Sequence, residues 1–181
     1  MKANPQKSRR KSIKFDPTIP KKLREAKFFW GHMRMESARF TQPDREHFEF
    51  YLSAFLSAAR SVTDFFERKQ KAWWSQWKAN RASESPEDLR LLNQMTKQRD
   101  NEVHEKGAEV AHQMEDVPLS KIETPSGLLA AYAPASEPWG EVQVGVKVYY
   151  FTLGGKPVNV IETCQRYVGL LERAVAEFSK A

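Results

Sequence analysis

Six consecutive residues, RDNEVH from Arg99 to His104, gather a guanidinium, two carboxylates, an amide and an imidazole in a segment of helical composition. Those groups are sufficient parts for cleaving a phosphodiester. A guanidinium grips phosphate through a planar fork of N–H donors. An imidazole moves protons near neutral pH. On a helix Asp100 and His104 stand at i and i+4, so the carboxylate can accept the imidazole N–H, fix its tautomer and favour its charged form. Arg99 and His104 are five residues apart and point roughly 140° from each other on an ideal helix, so only the reach of the Arg side chain lets them converge. RNA suits such a set, because its 2′-hydroxyl is an internal nucleophile and neither a metal nor a covalent intermediate is required. The same residues also have a plainer reading. Arg99–Glu102 and Asp100–His104 are then surface ion pairs, each worth about 0.2–0.5 kcal/mol.

The helix that carries this cluster has a strong start. Ser85 can cap it, Pro86 suits its first position, and Asp88 falls where a capping-box acid belongs. Leu89, Leu92, Met95, Val103, Val110 and Met114 trace an apolar stripe that predicts one long helix to Met114. Arg99 falls on that stripe, seven residues after Leu92, and a guanidinium at such a position needs a partner or a purpose. Lys97 and Lys106 flank the cluster and, with Asn101, can hold an RNA backbone; as isolated lysines they read equally as solvent-facing charges.

The surrounding elements follow from periodicity. Lys21–Phe40 has helical composition, with Leu23, Ala26, Trp30 and Met33 near one stripe and Gly31 weakening it. Thr41 or Gln42, with Pro43, signals the start of the clearest helix. Its face is Phe48, Leu52, Phe55, Ala59, Val62 and Phe66, beside a small-residue stripe of Ala54, Ser57, Ala58 and Ser61. Trp73 and Trp77, four apart, share a helical face and read as core or interface. After Pro118 the period becomes two: Val142, Val144, Val146, Val148 and Tyr150 alternate along a strand, which GLLAAYA is expected to pair as a hairpin. Gly154-Gly155 turns the chain, and Pro157 is expected to open a last helix through Cys164, Val168, Leu171, Val175 and Phe178. The expected fold is mainly α: an antiparallel helical bundle with a small two-stranded β-hairpin before the C-terminal helix.

Charge and composition remove most alternatives. The net charge of +6 is concentrated in residues 1–22, where eight basic residues face Asp16 alone and leave the remainder at −1. Residues 1–20 read as a disordered basic tail and 21–181 as a single domain. One cysteine excludes an internal disulfide framework and a cysteine-rich zinc site. No apolar run reaches membrane-spanning length and no signal-peptide core precedes the domain, so a cytoplasmic protein is expected. There is no Gly-rich phosphate loop and no GxSxG. His104 and His112 are eight apart without a third ligand, so no metal or cofactor is expected.

Arg followed by a polar residue and then His, as RDNEVH on a helix late in a helical bundle, resembles the Arg-x4–6-His motif of the HEPN superfamily. The preceding FEFYLSAFLSAARSVTDFF is similar to the long helix that packs before the motif helix in that family, so the resemblance covers about Pro43 to Met114. It implies a metal-independent endoribonuclease of the kind common in toxin–antitoxin and antiviral systems. It also implies a homodimer whose cleft receives an Arg and a His from each protomer, and an antitoxin or neighbouring-gene product as a further partner. On this resemblance Arg99 and His104 are the catalytic pair and Asp100 is the polar residue between them. The family more often has Asn directly after the Arg; here Asn101 is displaced by one, and Asp100 brings a negative charge toward the substrate phosphate. Many HEPN domains are non-catalytic and use the bundle for binding or dimerisation. The spacing alone is not specific, since a chain with this many arginines and histidines has roughly one such match by chance. The small-residue stripe and the tryptophans are candidates for the dimer interface, or for core.

Overall fold

The computed structural model describes residues 16–38, 44–105, 110–118 and 143–181, with the side chains of 101–105, 117–118 and 143–144 outside that description. The chain is mainly α. Helices α1 (Thr18–Ser37), α2 (Arg45–Lys69), α3 (Lys71–Glu84) and α4 (Pro86–Glu105) lead into strands β1 (Ala111–Pro118), β2 (Gln143–Leu153) and β3 (Lys156–Asn159), and α5 (Val160–Phe178) follows. The strands form one antiparallel sheet in the order β1-β2-β3.

The stripe expected along α2 is the floor of the core: Phe48, Leu52, Phe55, Ala59, Val62 and Phe66 are all buried. Its start differs from the expected Thr41 or Gln42, which lie outside the described residues. Asp44 is the cap, its Oδ1 accepting the N–H groups of Glu46 at 2.9 Å and His47 at 3.4 Å. The Asp44 N–H in turn donates to Glu36 Oε1 at 2.9 Å. Glu36 is only 2% exposed, so it ties the end of α1 to the start of α2. Helix α1 begins at Thr18, inside the expected tail, and packs along α2 and against α5. In the small-residue stripe of α2, Ala58 is buried, Ala54 and Ser61 are half-buried, and Ser57 is exposed.

Two expectations about element boundaries are corrected. The motif helix stops at Glu105, and residues 111–118 are strand β1, with Met114 65% exposed rather than buried. The stripe through Val110 and Met114 continued the helical period only by coincidence. Residues 111–118, Met114 among them, instead form a ladder with β2, from Ala111↔Tyr150 to Pro118↔Gln143. The expected hairpin partner GLLAAYA lies outside the described residues. The last helix is opened by Asn159, whose Oδ1 accepts the Glu162 N–H at 3.1 Å. Pro157 is in β3, opposite Thr152. Gly154 and Gly155, at φ 59° and 78°, make the two-residue turn that joins β2 to β3.

Val146, Val148 and Tyr150 share a half-buried face of β2, as expected. Tyr149 and Phe151, on the other face, enter the core. Period two fixes which residues share a face. Side-chain bulk decides which face the helices cover, and the aromatics fill more of the gap.

On α5 the stripe is as expected, with Cys164 fully buried and its thiol pushed up by desolvation. Trp74 and Trp77 stack at 4.9 Å and 6°, and Trp74 lies on Phe66 at 5.1 Å. The buried pair is therefore Trp74 and Trp77, with Trp73 half-buried beside them. Trp77 Nε1 donates to Glu177 at 2.8 Å. These rings belong to the core of one chain.

Tyr149 joins the sheet to α2 by stacking on Phe48 at 3.7 Å and 7°. Burial first, then the nearby carboxylates of Glu36 and Glu49, push its phenol from 10.0 up to about 12. The folded protein holds this proton more tightly than the unfolded chain, so stability present below pH 10 is lost as pH rises toward 12. The phenol oxygen has no hydrogen-bond partner. Tyr149→Phe is expected to keep or raise stability at pH 7 and to flatten the decline above pH 10, read from urea midpoints at pH 7, 9 and 11. A second substitution concerns α1: a Cβ at Gly31 meets nothing within 4 Å. Gly31→Ala is expected to add about 0.5–1 kcal/mol, which the same urea midpoints would register.

Candidate functional site

Helix α4 starts at Pro86, where the sequence places it. The Ser85 carbonyl accepts the N–H groups of Asp88 at 3.1 Å and Leu89 at 3.4 Å, Pro86 occupies the first turn, and Glu87 and Asp88 face the positive end of the helix. Asp88 does more than favour the helix start. Its carboxylate lies 3.8 Å from Arg166 and 3.7 Å from Arg173, both on α5, so the first turn of α4 is fastened to the last helix. Leu91, Leu92 and Met95 are buried, and the Thr96 hydroxyl donates to the Leu92 carbonyl at 3.0 Å.

Arg99 comes one turn after Met95, where the apolar stripe runs out of apolar residues. Its side chain is 29% exposed, and Nη1 is 3.5 Å from Asp100 Oδ1. Its Nε is buried and has no hydrogen-bond partner among the described residues. The guanidinium is thus divided: an inner donor that is unsatisfied, and an outer edge beside a carboxylate that is half exposed. Lys97 is exposed on the same helix. Asn101 and His104 lie within α4, so the motif sits on one unbroken helix with Arg99. Their side chains, and all of Lys106, are outside the described residues. The structure therefore brings Arg99 and Asp100 together, and relates His104 to them through the helix alone.

Among the described residues no group of three or more His, Cys, Asp or Glu side chains is placed to hold a metal ion. No described helix is long and apolar enough to cross a membrane.

A second candidate was missed in the sequence. The outer side of α1 lines a cavity of about 480 Å³ whose walls include Phe28, His32 and Met35. The spacing that could have revealed it is Lys21, Arg24, Phe28, Gly31 and Met35, steps of three and four on the face opposite Leu23, Ala26 and Met33. Gly31 read only as a flaw in the helix.

Comparison with family models, with curated proteins and with solved structures finds no match to this chain. The reading of the site rests on its own residues.

Removing a buried donor that has no acceptor relieves a desolvation cost rather than breaking a bond. Methionine follows the stem of Arg99 without its charge. Arg99→Met is therefore expected to leave the urea midpoint unchanged or higher, and a loss of more than about 1 kcal/mol would show that Arg99 is retained for packing or pairing.

Proposed function

We propose that the protein is a metal-independent endoribonuclease of HEPN type, acting as a homodimer with Arg99 and His104 as its working pair. The observation that carries this reading is the state of Arg99: a guanidinium on the core stripe of α4 with its Nε buried and unpartnered among the described residues. Stability gains little from such a group. A phosphate oxygen would satisfy it, and the residue five positions on is the histidine that phosphoryl chemistry needs.

The reaction this set supports is transesterification. The 2′-hydroxyl of RNA attacks the adjacent phosphorus, a P–O2′ bond forms, and the P–O5′ bond breaks, leaving a 2′,3′-cyclic phosphate and a free 5′-hydroxyl. His104 takes the proton from the attacking hydroxyl or gives one to the departing 5′-oxygen. Two copies in one cleft would let one histidine do each. Arg99 stabilises the charge gathering on the non-bridging oxygens. Asp100 holds the guanidinium edge in the free protein, and Lys97, Asn101 and Lys106 steady the strand on either side. A two-fold axis across α4 is the simplest way to bring two identical pairs together. A toxin or defence role, restrained by an antitoxin or neighbouring gene product, fits an enzyme that needs no cofactor.

One observation favours a second reading, a non-catalytic HEPN-like binding or dimerisation module. Asp100 Oδ1, 3.5 Å from Nη1, partly neutralises the cation that a substrate phosphate would need. The test is cleavage of total cellular RNA in EDTA by the parent, His104→Ala and Arg99→Met. The parent should cut, and each variant should lose at least about 100-fold. A folded dimer that cuts nothing, or variants that cut as the parent does, would sink the catalytic reading in favour of the module.

A further inference from the structure

We propose that the outer face of α1 is a docking strip for single-stranded RNA, with Phe28 as the platform on which a base stacks. The strip is separate from the Arg99–His104 helix, and only the choice of RNA over DNA rests on the reading of that helix.

Phe28 is 60% exposed, yet its ring is held. Its edge meets His32 at 4.3 Å, and His32 stacks on Tyr51 of α2 at 4.9 Å and 24°. A ring supported from beneath by two others keeps its outer face presented, so little motion is lost when a base covers it. Beside the ring lies the 480 Å³ cavity, a volume suited to a base and its sugar. Gly31 forms an open part of its wall, since a Cβ there would meet nothing within 4 Å. Met35, 41% exposed, continues the apolar surface one turn on.

The charge around the strip selects the partner. Lys21, Arg24 and Lys27 stand exposed along α1, and the Arg34 guanidinium lies 5.4 Å from the centre of the Trp30 ring at the far end. Lys27 bonds Glu172 at 2.7 Å, but both side chains are about half exposed, and such a pair is weak enough for a phosphate to compete. Residues 1–34 carry eleven basic residues against Asp16 and Glu25, a balance of +9, which leaves −3 on the remainder. The most basic stretch of the chain therefore runs directly into the helix that bears the exposed ring. A second copy would bring two such strips together against their own repulsion. A polyanion with planar bases fits both the charge and the ring.

The test uses the full chain carrying His104→Ala, so that no strand is cut, in EDTA at fixed salt. Binding of a fluorescein-labelled twelve-nucleotide uridine strand is followed by anisotropy. A base–aromatic stack is worth about 1–3 kcal/mol, so Phe28→Ala should weaken binding at least about fivefold. Phe28→Trp should bind as the parent does. Gly31→Leu, which places a bulky side chain at a position where a Cβ meets nothing within 4 Å, should weaken binding as Phe28→Ala does, with the helical circular-dichroism signal unchanged. Binding within twofold of the parent for Phe28→Ala would overturn the proposal and leave the basic tail as the whole of the affinity. No binding at all, with a Phe28-dependent self-association in sedimentation, would overturn it in favour of a second copy. Because binding is read without cleavage, this failure and a failure of the α4 reading are distinct.

Discussion

The apolar stripe of α2 touches every other layer of the fold. At one end Phe48 stacks on Tyr149 of β2, in the middle Phe55 meets Tyr167 of α5 at 6.4 Å, and at the other end Phe66 meets Trp74 of α3 and Phe178 of α5. Phe55↔Tyr167 and Phe66↔Phe178 are separated by eleven residues on each helix, so α2 and α5 run parallel. Each such side chain contributes roughly 1.5–3 kcal/mol on burial, and the row as a whole fixes the direction of both helices. With that direction set, α1 lies along the pair, and α4 is carried back along α5 through Asp88.

Among the described residues four buried polar atoms have no hydrogen-bond partner: Trp74 Nε1, Arg81 Nε, Tyr149 Oη and Arg99 Nε. Three have a local physical reason. Trp74 and Tyr149 are stacked on Phe66 and Phe48, and the area buried by those rings offsets one unmade bond. Arg81 reaches Glu84 at 2.9 Å and Glu177 at 3.4 Å through Nη2, and lies over Trp77. Arg99 has neither a ring nor a good ion pair. Among the described residues nothing compensates its buried Nε, and a site is where such a cost is ordinarily found.

Much of the helical frame was legible because a stripe on a long helix leaves little choice: Phe48 to Phe66 on α2 and Cys164 to Phe178 on α5 can bury only one way. The failures arise where periodicity permits two answers. Val110 and Met114 fit a helical step from Val103, and nothing local reveals that the open edge of β2 will claim them. Val146, Val148 and Tyr150 share a face as expected, but parity alone does not say that Tyr149 and Phe151 will fill the core. At the site, the position of Arg99 on the stripe was visible in the sequence; the lack of a partner for its Nε was not, because that depends on what α2, α3 and α5 place around it. On α1 the exposed seam was as regular as the buried one, yet hydrophobic stripes are read as core by default, and a stripe of Lys, Arg, Phe, Gly and Met does not announce a face.

Helix α5 relates the two candidate surfaces. Glu172 holds Lys27 of α1 at 2.7 Å, and the next residue, Arg173, holds Asp88 of α4 at 3.7 Å. Neighbouring residues on a helix diverge by about 100°, so α1 and α4 are gripped from different sides of the same rod. The helix that bears the exposed Phe28 ring and the helix that bears the motif are thus both tied to α5. On the proposed reading, a strand held by the ring would reach the motif either around its own bundle or by passing to another copy. In a dimer built across α4, the second route is open, since the axis that pairs the two motifs also gives the strand a partner surface on which to continue. Dimerisation would then do two things, completing a cleavage site and joining the strip of one protomer to the site shared with the other.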